Sequence, residues 1–363
     1  MRGERLERVR AAMTAAGVDC LLLSLGADLP WLTGYTAMPL ERLTMMVLPC
    51  DGPAWLVIAR LEAPRVDDDP ATFSLLPYDE TDDPVGIVAR LVGARRRLAV
   101  SDRTWASFVL RLQERLPDAA WQPASTVTGP LRAVKDRDEV AALVAASEAA
   151  DRVAAALIAG DIALVGRTEA EVSEEIGRRL LAEGHDRVNF AIVGSGPNSA
   201  SPHHDAGERI IGPGEAVVCD FGGTMDGYCS DITRTVFTGE PPADFLRLYA
   251  VLEGAQAAAV AAARVGVPCQ DVDRAARDII AAAGYGHYFI HRTGHGIGRE
   301  EHEDPYIVAG NEQPLVPGHA FSVEPGIYLP ERFGARIEDI VVAGVGGPQA
   351  LNRVDHRLAV VAG

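Results

Sequence analysis

Four acidic residues interrupt segments of this chain that otherwise read as buried strand. Asp220 follows VVC, Asp231 follows GYCS, Glu324 ends FSVE, and Glu338 sits inside ARIEDIVV. A lone carboxylate buried in such sequence costs several kcal/mol or is forced neutral. The fold must therefore turn these acids to solvent on alternating strands or gather them around positive charge. From spacing alone both arrangements stay open.

Asp220 and Asp231 frame a segment, FGGTMDGYCS, that reads as a hairpin. Counting inward from both acids centres the turn on Met225–Asp226, with Gly227 beside it. This register predicts direct cross-strand partners, whose Cβ atoms lie roughly 4.5–5.5 Å apart. Two carboxylates that close repel unless a cation lies between them. Bridging carboxylates suit a metal pair about 3.5–4 Å apart. Glu324 and Glu338 repeat the pattern across a return rich in Gly and Pro. HRTGHGIG adds His295 with glycine on both sides, where backbone can approach a ligand closely. His291 and His295 have the i, i+4 spacing of two ligands on a helix. The surrounding glycines argue against a helix there, and so against a mononuclear zinc site. Four carboxylates with one imidazole suit two hard-to-borderline divalent ions better than one tetrahedral zinc. Such a chain is expected to be a hydrolase working through a metal-bound water.

At 363 residues the chain is long enough for two domains. Its 48% hydrophobic and 23% charged residues are those of an ordinary globular protein. A formal charge of −17 argues against a nucleic-acid partner, which needs a basic face. No stretch approaches 18 uncharged apolar residues, so no membrane span is expected. MRGERLERVRAAMTAAG reads as an amphipathic helix rather than a signal peptide, which implies a cytoplasmic protein. The five cysteines are odd in number and form no C-x-x-C pair. They read as reduced, mostly buried thiols. Cys219 and Cys229, close to the acids, are expected on the other side of their strands.

Residues 1–130 show α/β patterning. Helices are predicted at 2–16, 84–93 and 105–116, and strands at 18–25, 42–50, 53–59, 72–78 and 96–102. No G-x-G-x-x-G and no catalytic cluster occurs there, so a structural or subunit-contacting domain is expected. Residues 128–137 read as a junction. A long alanine-rich helix follows at about 136–159, with Asp136 or Asp138 as its N-cap. Thr168 with Glu171 forms a capping box for a helix at 169–183. A strand at 190–196, helices at 243–265 and 270–283, and a strand-and-loop tail complete the second domain, 131–363. The blocks suggest α+β architecture with an antiparallel, curved sheet rather than a doubly wound one.

The ordered set DFGGTMDGYCSDITRT, HRTGHGIGREEHE, SVEPGIY and ARIED resembles the pita-bread metallopeptidase family, which includes methionine aminopeptidases, aminopeptidase P and prolidase. The resemblance spans residues about 136–345. The first 130 residues resemble the N-terminal domain shared by aminopeptidase P, prolidase and creatinase. Together they imply a pita-bread catalytic domain preceded by a smaller α/β creatinase-type domain. The resemblance implies that Asp220, Asp231, His295, Glu324 and Glu338 hold two divalent ions, with Asp231 and Glu338 bridging. All five ligands are present, unlike in creatinase, which keeps the fold without this set. Manganese is the implied metal, with cobalt or zinc as alternatives. The implied reaction is hydrolysis of the Xaa-Pro bond of dipeptides or short peptides by a metal-bridging hydroxide, with Glu324 shuttling the proton. A same-fold hydrolase or lyase acting on a small amino-acid-like molecule is the alternative.

Three histidines inside the matched motifs fit pocket roles. His203 lines the substrate pocket, with His204 as the alternative if the register is off by one. His291 and His302 bond the substrate or the tetrahedral intermediate. Arg336 matches a basic residue of aminopeptidase P and prolidase, and an orienting salt bridge to Asp220 or Glu338 is compatible with that. Tyr228 and Thr233 are expected to support Asp231. The resemblance breaks at Tyr306 in HEDPYIV, where many prolidases carry an arginine that could hold a dipeptide's free carboxylate. That departure favours longer Xaa-Pro peptides, whereas the chain length favours the prolidase side. A homodimer is also implied, through the N-terminal domain contacting the partner's active site.

Overall fold

The computed structural model describes residues 2–67 and 69–362. The chain divides into two compact units, Met1–Arg132 and Ala133–Gly363.

The first unit is built on a six-stranded mixed sheet. Its order is Ser74–Tyr78, Trp55–Ala59, Met45–Pro49, Cys20–Leu23, Arg97–Val100, Ala120–Pro123. The central strands are apolar at successive positions because both faces are covered. Leu21, Leu23, Met46 and Leu48 pack with Val9 and Met13 of helix Arg2–Ala16. Cys20, Leu22, Met45 and Val47 pack with Val88 and Leu112 of helices Pro84–Val92 and Ala106–Arg115. One expectation fails here. Residues 128–133, read as the start of a junction, belong to helix Ser125–Ala133, which carries Pro130 inside it. The Thr-Gly-Pro string is ordinarily a loop signal. Burial of Val127 against the same core as Ala124 and Leu21 overrides it.

The second unit opens with helix Arg137–Ile158, whose N-cap is Asp136. Asp136 and Glu139 complete a capping box, as Thr168 and Glu171 do for helix Glu169–Ala182. Two five-stranded sheets follow. In the first, strand Ala216–Met225 lies between Arg187–Ser195 and Ile232–Thr238, all antiparallel. In the second, Ala320–Val323 lies between Gly294–Gly296 and Asp339–Gly344, again antiparallel. An isolated bridge between Thr233 and Glu338 links one sheet to the other.

Strand alternation decides what each side chain meets. Val217, Cys219 and Phe221 enter the core with Val172 and Ile176 of helix Glu169–Ala182. Asp220, between them, is on the opposite face. Helices Ala243–Ala262 and Cys269–Ala282 form a core with Phe321, Val323, Val341 and Ala343. Among the described residues, only Ala243–Ala262 has the length and hydropathy of a membrane span, with a mean hydropathy of 1.2. Its Phe245, Leu248, Leu252, Ala255 and Ala259 are fully buried, as in a core helix. All five cysteines are free.

The hairpin register differs from the sequence expectation. The turn falls at Asp226–Gly227, both with positive φ (49° and 79°), the conformation of a type I′ turn. Thr224 consequently pairs with Cys229, and Asp220 pairs with Thr233 rather than Asp231. Asp220 and Asp231 are diagonal neighbours on one face instead of direct partners. The second hairpin does align its acids. Val323 pairs with Asp339, and one further step in that register sets Glu324 opposite Glu338.

Candidate active site

The five residues line one cavity of about 470 Å³. Asp231, His295 and Glu338 offer ligand atoms all within 4.8 Å of one another. His295 Nε2 lies 3.4 Å from Glu324 Oε1 and 3.7 Å from Asp231 Oδ2. Asp220 forms an ion pair with Arg336 through Oδ2. Its other oxygen, Oδ1, is buried without a hydrogen-bond partner among the described residues.

The electrostatics of this cluster are unbalanced. Burial and the surrounding carboxylates push Asp231 and Glu338 well above the usual carboxylate range. Burial pushes Glu324 up to about 7. Burial, with His302 beside it, pushes His295 down to about 3. An imidazole that stays neutral is a ligand rather than a charge partner. Buried acids that would rather hold protons, an orphaned carboxylate oxygen and a neutral imidazole form a donor set suited to divalent cations.

Several polar groups hold these acids in place. Thr233 donates its hydroxyl to Glu338 Oε2 (2.7 Å) and accepts from Arg336 Nε (3.0 Å). Arg336 Nη1 donates to Tyr328 Oη (2.9 Å) and to the Pro202 carbonyl (3.1 Å). Beneath them lies Arg234, which is fully buried. It donates to the carbonyls of Thr233 and Glu338 (2.9 and 2.7 Å) and to Asp339 Oδ1 (2.8 Å). Asp339 Oδ2 meets His356 Nε2 at 2.6 Å.

The candidate pocket residues separate into three groups. His203 and His302 line the cavity, and the His302 ring lies 4.0 Å from that of His295. His204 meets the buried carboxylate of Glu169 (2.7 Å). His291 also lines the cavity, yet both of its nitrogens are engaged. Nδ1 meets the Arg292 carbonyl (2.7 Å) and Nε2 meets Tyr328 Oη (2.9 Å). Arg336 already donates to that phenol, so Tyr328 is the donor to Nε2 and Nδ1 carries the proton. His291 is thus a framing group, with no donor left for substrate. The Tyr228 hydroxyl donates to Glu139 (2.9 Å). The orienting ion pair of Arg336 is to Asp220, not Glu338. Sequence reasoning missed Tyr328, Arg234 and Arg292. Tyr328 and Arg292 stand within four residues of a marked ligand, whereas Arg234 shows only as a cation on an apolar strand.

The family model for metallopeptidase family M24 matches residues 141–344. That for the creatinase/prolidase N-terminal domain matches residues 5–134. The probable dipeptidase PepE of Mycobacterium tuberculosis is 45% identical over 362 residues, covering 98% of this chain and 96% of that one. The Xaa-Pro dipeptidase of Lactobacillus helveticus is 32% identical over 367 residues, covering 98% of both. The crystal structure of dipeptidase PepE from Mycobacterium ulcerans superposes with a TM-score of 0.93 at 45% identity, covering 100% of this chain and 98% of that one. The chain belongs to metallopeptidase family M24, in its pita-bread branch with a creatinase/prolidase N-terminal domain. Members of that family depend on divalent metal, and the cluster at Asp231, His295 and Glu338 is where this chain could hold it.

Proposed function

We propose that this pocket hydrolyses the Xaa-Pro bond of dipeptides or short peptides with two divalent cations, manganese foremost. The observation that carries the reading is the gathering of four carboxylates and one neutral imidazole beside His203, His302 and Arg336 in one cavity. Asp220, Asp231, His295, Glu324 and Glu338 would hold the cations, with Asp231 and Glu338 shared. Bound there, the cations supply Lewis acidity that polarises the scissile carbonyl and lowers the pKa of a water.

The protein's own groups do the rest. Glu324 takes the proton released as the water oxygen bonds to the carbonyl carbon. It delivers that proton to the proline nitrogen as the C–N bond breaks. His302 and His203 face the carbonyl oxygen as its charge develops. Tyr328 and Arg336 keep His291 and Asp220 fixed. Phe190, Ile192 and Pro202 supply an apolar wall for the proline ring. An Xaa-Pro amide has no N–H, so recognition rests on ring shape rather than on a backbone donor.

The test is hydrolysis of Ala-Pro against Ala-Ala after loading with manganese, cobalt or zinc. Cleavage of neither peptide with any of the three refutes the proposal. Glu324→Gln is expected to retain bound metal while kcat falls roughly 10²–10⁴-fold, the range for losing a proton-transfer group.

A further inference from the structure

The cavity holds one cation that the reaction scheme leaves unused. Arg292 lines the same cavity as Asp220, Asp231, His295, Glu324 and Glu338. It is half-buried, and its guanidinium has no hydrogen-bond or ion-pair partner among the described residues. Glu301, a further acid on the cavity wall, forms no ion pair with it. The guanidinium is nevertheless fixed. Its Cζ lies 4.5 Å from the centroid of the Tyr306 ring, a stacking contact that orients the plane without consuming a donor. Its carbonyl is pinned by His291 Nδ1 at 2.7 Å. An oriented arginine with all five donors unspent inside a catalytic cavity is arranged to receive a planar anion in two-point fashion.

We propose that Arg292, held over Tyr306, binds the free α-carboxylate of a dipeptide and makes this enzyme a dipeptidase. The proposal rests on the peptidase reading above. In an Xaa-Pro dipeptide the carboxylate is separated from the scissile nitrogen by a single carbon, so one cavity must hold both. Asp220, Asp231, Glu324 and Glu338 would hold the cations that act on the scissile bond, and Arg292, on the wall of the same cavity, would receive the carboxylate. A C-terminal amide or a third residue would set a neutral amide against the guanidinium and leave its charge unanswered. Tyr306 therefore changes meaning. It does not remove carboxylate recognition from the pocket, because it supports the neighbouring arginine that supplies it.

The experiment compares Ala-Pro, Ala-Pro-amide and Ala-Pro-Ala as substrates of metal-loaded wild type, Arg292→Gln, Arg292→Lys and Tyr306→Ala, with thermal unfolding as the check on folding. Wild type is expected to favour Ala-Pro by kcat/KM. Arg292→Gln is expected to raise KM for Ala-Pro roughly 30- to 100-fold with kcat changed less than about threefold, and to change KM for the amide far less. Arg292→Lys and Tyr306→Ala are expected to fall between, because each keeps a charge but loses the fixed fork. Wild type that cleaves acid and amide equally well overturns the inference and leaves the peptidase reading standing. So does an Arg292→Gln variant that keeps the acid preference. Cleavage of no peptide by loaded wild type removes the peptidase reading and the inference with it.

Discussion

Removing the cations should leave a protein that becomes more stable on mild acidification, the reverse of the usual trend below neutrality. Without cations, Asp231 and Glu338 are held well above the carboxylate range and Glu324 at about 7. In the unfolded chain all three revert to ordinary values near 4. The folded state therefore binds more protons than the unfolded state, and stability falls as pH rises through the folded pKa values. Glu324, half-protonated at pH 7 and ionised by pH 8.5, contributes about 0.4 kcal/mol over that window, and Asp231 and Glu338 add in the same direction. For a domain of this size each kcal/mol is a rise of roughly 2–4 °C in Tm between pH 8.5 and pH 7. Below about pH 6.5 three histidines offset the gain. His291 and His319 at about 4, and His295 at about 3, stay neutral in the fold while the unfolded chain takes up protons. The buried thiols of Cys20 and Cys229, raised to about 12 and about 11, titrate alike with and without cations and cancel in the difference. The assay is calorimetric melting from pH 7 to 8.5, with chelator and with saturating manganese. The loaded protein should be nearly flat, because its acids stay ionised. Equal slopes in the two series, or a chelated protein that loses stability between pH 8.5 and 7, would refute the reasoning.

Two other outcomes test the scaffold. Arg234→Met removes the buried guanidinium paired with the fully buried Asp339 and leaves that carboxylate to His356 and Gln256. It should cost about 3–5 kcal/mol in urea unfolding, with metal content falling alongside. His203→Ala and His204→Ala should behave differently despite being neighbours. The first should lower kcat/KM by roughly 10–10²-fold with little change in Tm. The second removes a partner of buried Glu169 and should lower stability by about 1–3 kcal/mol, read as a shifted urea midpoint with metal content retained.

Elements defined by strong local chemistry were legible in the chain. The capping boxes at Asp136 and Thr168 mark helix starts in sequence and in structure. The pita-bread architecture was legible through its motifs. The hairpin slipped because symmetry between two acids was used to place the turn. The Asp226–Gly227 dipeptide carries the local signal, since an adjacent pair with positive φ is what a type I′ turn requires. The bond from Tyr228 to Glu139 was not legible, because its partner lies 89 residues away. The choice of Asp220 over Glu338 as the partner of Arg336 depends on the meeting of two separate sheets, and no local pattern encodes it. Arg292 was hidden by the attention its neighbours His291 and His295 attract.

The Thr233–Glu338 bridge joins two sheets through residues 105 positions apart. Asp220 and Asp231 come with one sheet, and His295, Glu324 and Glu338 with the other. Neither half of the catalytic unit carries a complete ligand set, so a cation gains its full complement only after the halves have closed on each other. If the proposed ligand set holds the metal, loading would favour chains that have finished the slow, non-local part of folding. A half-built chain would present unscreened acids that repel, which opposes a loosely docked site capable of indiscriminate hydrolysis.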